Sequence, residues 1–358
     1  MTDVTSGKCD NSDLCAGSPI IFVPGIFDSR LYNTDGKLVW LRPMIKENVL
    51  KYLDIDNPLI VQNNLIDQCR LPIISREYGL NNAFLFIISV LCDEFKSSNV
   101  FVFSYDFRRS CSDAADALRD ETEYILENYD CEKVNIVAHS MGGLVASSYA
   151  AKYGTSDIDK VITIAAPYEG SPKAFYSAAS GNIHGIPEFL TEQAGLSRSM
   201  YLKYPSLSEL LPTKKFIEKY PLKAGSEDVS FEEYENICRK LVGDNYDRGV
   251  DFMNSINKNG RNILTYYDKS YFLAGIGRQT AVSVKMDGDA VYEIKEGNDD
   301  IIKGDSLVPF DSASMMGELE KLGKDEFGDD RFVYFENSHN GLLRSPKVLR
   351  RIINILKK

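Results

Sequence analysis

The chain has 358 residues, 44% of them hydrophobic and 26% charged, and a formal net charge of −11. That length holds one large α/β domain with an insertion or two smaller domains, and the composition is that of an ordinary soluble globular protein. The acidic balance argues against nucleic acid as a partner, since phosphate neutralisation needs a basic surface.

No apolar run approaches the ~20 residues that span a bilayer. The polar start, residues 1–17, lacks the cationic-then-apolar pattern of a secretory signal. A cytoplasmic location is therefore expected, with peripheral contact at a membrane compatible with it. The seven cysteines are odd in number and fall in no metal-ligand spacing. Most read as small core hydrophobes, although a Cys9–Cys15 pairing stays open. No metal or organic cofactor is implied, and oligomeric state has no signal in the sequence.

In chain order, Ser18–Val23 reads as a buried strand closed by Pro24-Gly25. Residues 35–80 lack clean periodicity, include the only tryptophan, Trp40, and suit a lid-like insertion. Asn82–Phe95 has helical spacing, Asn99–Phe103 is strand-like, and Asp113–Tyr129 is an amphipathic helix. Val134–His139 is a β-branched strand that runs into Ser140-Met141-Gly142-Gly143 and then a helix, Leu144–Tyr153. Asp159–Ala165 supplies another strand. Strand and helix alternate at the spacing of a mostly parallel, doubly wound sheet.

The alternation stops from Tyr168 to about Gly260, where no convincing strand is read. Strand signals return at Ile263–Tyr267, Ser270–Ile276 and Arg331–Phe335, and a helix closes the chain from Pro346 to Leu356. The expected organisation is thus a polar tail (1–17), a core in two parts (18–167 and 261–358) and a cap inserted at 168–260.

Small residues two before and two after Ser140 (Ala138 and Gly142) suit a nucleophile elbow, where a sharp strand-to-helix bend lifts a serine clear of the sheet. Of three histidines, His139 adjoins the serine and reads as structural, and His184 reads as a loop residue in the cap. His339, after the last strand, is the candidate base, because ligands gather at the carboxyl edge of a parallel sheet. Asp305 in Gly304-Asp305-Ser306-Leu307-Val308-Pro309 is the candidate acid, with Asp299, Asp300 and Asp311 as rivals. Two backbone N–H groups, of Met141 and of Ile26 in the Pro24-Gly25 loop, are the candidate oxyanion donors.

With these pieces in place the chain resembles the lecithin:cholesterol acyltransferase family of α/β-hydrolases. The resemblance rests on Pro19–Ile26 with Ser29-Arg30-Leu31, on Tyr105-Asp106-Phe107-Arg108, on Ala138–Gly142 and on Ala166–Ser171. It continues in Tyr204–Leu207 with Leu210-Leu211-Pro212, in Gly304-Asp305 with Val308-Pro309 and Ser312, and at His339. The tryptophan of the family's Tyr-Asp-Trp-Arg signature is Phe107 here. Only Cys69 falls where secreted members close a lid with a disulfide, so that closure is not expected.

The resemblance implies a serine-dependent acyl hydrolase or acyltransferase acting on lipid esters, on an α/β-hydrolase fold in which the inserted stretch is a helical cap; contact with a membrane surface is compatible with this. A carboxylesterase or thioesterase on soluble acyl esters would use the same three residues, and a non-catalytic lipid-binding scaffold is the third class. Trp40, Leu41, Leu59 and Ile60 fit either lipid contact or a buried anchor. In the cap, Lys203, Lys214, Lys215, Lys219 and Lys223 give a local positive charge, read either as solvated surface or as a docking face for lipid headgroups.

Overall fold

The structure, a computed structural model, describes residues 17–40, 53–61, 82–182, 198–288, 290–295 and 303–358. Cys9, Cys15, Leu41, Cys69, His184, Asp299, Asp300 and much of the 35–80 stretch lie outside the described residues.

Six parallel strands form the central sheet: β1 (Ile20–Val23), β2 (Val100–Val102), β3 (Val134–His139), β4 (Ile158–Ile164), β5 (Ser270–Ile276) and β6 (Phe332–Glu336). Their spatial order is β6-β5-β4-β3-β1-β2. Every residue of β1 and β3 is buried, as expected of strands covered on both faces. Alternate side chains of β1 divide between two cores. Ile20 and Phe22 meet helix α1 (Asn82–Phe95) and the last helix, Pro346–Leu356. Ile21 and Val23 meet α2 (Cys111–Asn128) and α3 (Gly142–Tyr153) on the other face. A period-2 strand thus holds both helical layers of a doubly wound sheet.

The core on the α2/α3 face continues without a break into the 168–260 stretch through Tyr201, Tyr204, Leu207, Leu210, Leu211 and Ile217. Short helices dominate there: Pro172–Ser180, Pro205–Glu209, Lys214–Lys219, Phe231–Val242 and Asn245–Ser255. Serine or threonine caps start several of them; Ser171, Thr213 and Ser230 each accept a backbone N–H of the first turn.

Two expectations need correction. The 168–260 stretch does contain strands, Lys223–Ala224 and Glu227–Asp228, which join the hairpin Ala281–Asp287/Ala290–Lys295 in a four-stranded sheet. Ile263–Tyr267 is not a strand but a 3₁₀ turn, because the Asn262 side chain accepts Leu264 N–H and Thr265 Oγ1 turns back to Asn262 O. An apolar run that short does not separate strand from helix by pattern.

Each of the five lysines between 201 and 223 has an acidic partner in the chain. Lys203 meets Asp54 and Asp56, Lys214 meets Glu218, Lys215 meets Glu169, Lys219 meets Asp311 and Lys223 meets Asp228. Trp40 is buried, whereas Ile60 is exposed.

Candidate active site

The loops that carry the candidate residues leave the carboxyl ends of β1, β3, β5 and β6. At the end of β3 the chain turns within one residue. Ser140 has a φ of 54°, a left-handed backbone rare outside glycine, and its N–H is anchored to Ile164 O of β4 at 2.8 Å. Gly142 makes this bend possible, since a Cβ there would lie 2.4 Å from Val23 O and 2.6 Å from Pro24 O. The start of α3 is thereby pressed against the loop that follows β1.

No side chain caps α3 at Met141. Met141 is fully buried, and its N–H has no acceptor among the described residues. The Ile26 N–H likewise has none there. A buried, unpaired backbone donor is uncommon, and one at a helix N-terminus faces a site that favours negative charge. Gly25 brings this loop close, with the position of an added Cβ 3.0 Å from Ser140 Cβ.

Asp305 and His339 form the tightest polar pair of the site. His339 Nδ1 and Asp305 Oδ2 are 2.7 Å apart, both residues buried. Their backbones are joined as well, His339 N donating to Asp305 O at 2.7 Å. The other carboxylate oxygen of Asp305 accepts from Leu307 N (3.0 Å) and Val308 N (2.8 Å), which fixes its rotamer. Thr280 braces the same loop by accepting Ser306 N–H and donating to Arg278 O.

The His339 ring lies against His139, centroids 4.7 Å apart, and so beside the elbow. Burial first, and the neighbouring His339 second, push the His139 imidazole well below its ordinary range, so it stays neutral. Among the described residues no hydrogen bond joins Ser140 Oγ to His339, whose Nδ1 is paired with Asp305. Catalytic hydrogen bonds are often long in a free enzyme and tighten around substrate.

The rival Asp311 is elsewhere engaged. Burial alone would raise its carboxyl, but Lys219 and Tyr220 hold it below the usual carboxylate range. Among the described residues no cluster of His, Cys, Asp or Glu is arranged to hold a metal ion, and no helix is long and apolar enough to cross a membrane.

Sequence reasoning missed the residues that set these positions. Gly275 in β5 lets the acid and histidine loops meet, since an added Cβ would fall 2.5 Å from Asp305 Cβ and 3.1 Å from Asn337 O. A glycine inside a buried strand is the signal that marks such an approach.

A doubly wound parallel sheet with a serine elbow, and an acid and a histidine on later loops, defines an α/β-hydrolase. A chain of the Tle4–Tli4 complex superimposes with a TM-score of 0.66 at 15% identity, over 96% of this chain and 99% of that one, and shows the same fold. The family model for lecithin:cholesterol acyltransferase matches residues 94–268. Phospholipase A(1) LCAT3 of Arabidopsis thaliana is 27% identical over 139 residues, 35% of this chain. The match spans 30% of that relative's length. Over residues 94–268, just under half of its length, the chain is thus similar to the lecithin:cholesterol acyltransferase family.

Proposed function

We propose that the protein is a serine-dependent lipid acyl hydrolase or acyltransferase that works through an acyl-enzyme on Ser140. The observation that carries this reading is the buried His339–Asp305 pair, 2.7 Å apart and in ring contact with the residue preceding Ser140. The likeness to the lecithin:cholesterol acyltransferase family over residues 94–268 and to a phospholipase supports a lipid ester as substrate.

Ser140 Oγ attacks the ester carbonyl while His339 Nε2 takes its proton. Asp305 holds His339 by Nδ1, in the tautomer whose Nε2 accepts, and stabilises the imidazolium. The carbonyl oxygen, now an anion, is received by the Met141 and Ile26 N–H groups. His339 then returns the proton to the leaving alcohol. Water or a second alcohol, deprotonated by His339, attacks the acyl-enzyme and frees Ser140. Residues 168–260 are the cap over this site in the same reading, and choose the acyl group and acceptor.

The test is labelling by a fluorophosphonate, read by mass spectrometry, together with turnover of mixed phospholipids with and without an added alcohol. Labelling at Ser140 and its loss in Ser140→Ala, along with release or transfer of fatty acyl groups, are expected. A folded Ser140→Ala protein that still turns over esters would overturn the assignment.

A further inference from the structure

As an oxyanion donor the Ile26 N–H must point at the developing charge, and its peptide is held on three sides. The Gly25–Ile26 peptide is planar, so fixing the Gly25 carbonyl fixes the Ile26 N–H on its opposite side. Gly25 O accepts from Asp28 N at 3.4 Å, closing a four-residue turn. Upstream, Pro24 O accepts from the Tyr105 hydroxyl at 2.9 Å. Downstream, Phe27 O accepts from Trp40 Nε1 at 2.7 Å.

The turn is not self-sustaining. Phe27 is its third residue and has a φ of 67°, the position and conformation for which a turn of this kind wants glycine. A bulky aromatic there is strained and persists only where its surroundings impose it. Those surroundings are an aromatic cluster. The Phe27 ring lies 4.9 Å from Phe107, 5.6 Å from Trp40 and 6.5 Å from Tyr201, and Trp40 itself is 5.6 Å from Phe107. Trp40 contributes both ring contact and the hydrogen bond, and its indole can only donate. It stands at the end of a small antiparallel hairpin, Leu31–Tyr32 with Leu38–Trp40.

We propose that Trp40 is a positioning residue of this site: its indole N–H, bonded to Phe27 O, holds the Pro24–Asp28 loop in the conformation that aims the Ile26 N–H at the oxyanion. The proposal rests on the reading of Ser140 as nucleophile and Ile26 as donor. It makes the only tryptophan part of the catalytic scaffold rather than a lipid-contacting side chain. Loss of one oxyanion donor costs about 10²–10³ in kcat, and a misplacement near 1 Å costs about 10². Releasing one of three anchors should therefore lower kcat by at least about tenfold and leave KM nearly unchanged.

Because the chain has a single tryptophan, growth on β-(3-benzothienyl)alanine changes position 40 alone, replacing N–H by sulfur within the same bicyclic shape. Trp40→Phe removes the donor by mutation. Both are measured for kcat and KM on an ester, with circular dichroism to verify folding and fluorophosphonate labelling of Ser140 in wild type as the reference. A fall in kcat of about tenfold or more, with KM within about twofold, is expected. Unchanged kcat in folded protein, or a raised KM at preserved kcat, overturns the proposal while leaving the nucleophile intact. Failure of wild type to label at Ser140 instead removes the reading beneath it. Should both variants unfold, wild type decides: phosphonylation, which puts a P–O group in the oxyanion site, should shift Trp40 fluorescence, and an unmoved emission overturns the proposal.

Discussion

An alanine Cβ at position 275 would lie 2.5 Å from the Cβ of Asp305. Real Cβ atoms do not approach so closely, and neither atom is the free end of a flexible side chain, so the Asp305 loop would have to move. Gly275→Ala should therefore cost about 10² in kcat, the scale of a 1 Å displacement, because Asp305 is carried away from His339 Nδ1. Gly323→Ala is the control: nothing lies within 4 Å of its added Cβ. Steady-state kinetics of the two variants should separate widely, and equal activities would mean that the acid loop is not placed by β5.

Asp305→Asn tests the same pair without moving the backbone. The amide oxygen can keep the Leu307 and Val308 N–H groups, but its NH₂ cannot accept from His339 Nδ1–H. The imidazole would then present the wrong tautomer to Ser140, a change that costs about 10⁴ in kcat in a serine triad. Kinetics at constant pH, with thermal unfolding to show that the fold survives, should give a loss of this order. A loss below tenfold would exclude Asp305 as the acid.

These dependencies were unequally visible in the sequence. Asn82–Phe95, Ser270–Ile276 and Pro346–Leu356 were legible to the residue, because each carries its own periodicity and its own breakers. The hairpin Ala281–Asp287/Ala290–Lys295 was overlooked, although Val282, Val284 and Met286 alternate and Asp287-Gly288 marks a turn. The strong local pattern of Ala138–Gly142 made Ser140 the most readable part of the site. What was not legible is contact between distant residues. Nothing near Lys219 in sequence announces Asp311, and nothing near Trp40 announces Phe27 O.

Glu209 shows how such a contact affects stability. Its carboxylate is buried at the N-terminus of α2, where Ser110 Oγ and Cys111 N donate to it, the latter at 2.7 Å. Burial, aided by the charge of Asp113, outweighs those bonds and pushes its pKa up to about 7; Cys111 and Tyr105 are the other titratable groups facing it. Between about pH 4.5 and 7 the unfolded chain has released this proton and the folded chain has not, so stability falls as pH rises, by up to about 3 kcal/mol above pH 7. Glu209→Gln does not titrate and can still accept from Cys111 N. Urea unfolding at pH 5 and pH 8 should show the variant gaining on wild type by an amount of that order, whereas parallel curves would mean that Glu209 is charged throughout.

The lysines of the 201–223 stretch bear on how a lipid surface would be met. A free lysine near an anionic membrane contributes about 1 kcal/mol, close to a fivefold change in partition. Here Lys203, Lys215, Lys219 and Lys223 face Asp54 and Asp56, Glu169, Asp311 and Asp228, and Lys214 faces Glu218. Each acid offsets the charge that a headgroup would feel, and docking by these lysines would require the pairs to open. Lys203→Gln, Lys214→Gln and Lys219→Gln should each change binding to phosphatidylserine-containing vesicles by less than about twofold in a flotation assay. A fivefold loss for each would restore the docking face. Asp311→Asn, which frees Lys219 while leaving a hydrogen-bonding side chain beside it, should instead strengthen vesicle binding at low salt, and that gain should vanish as salt screens the released charge.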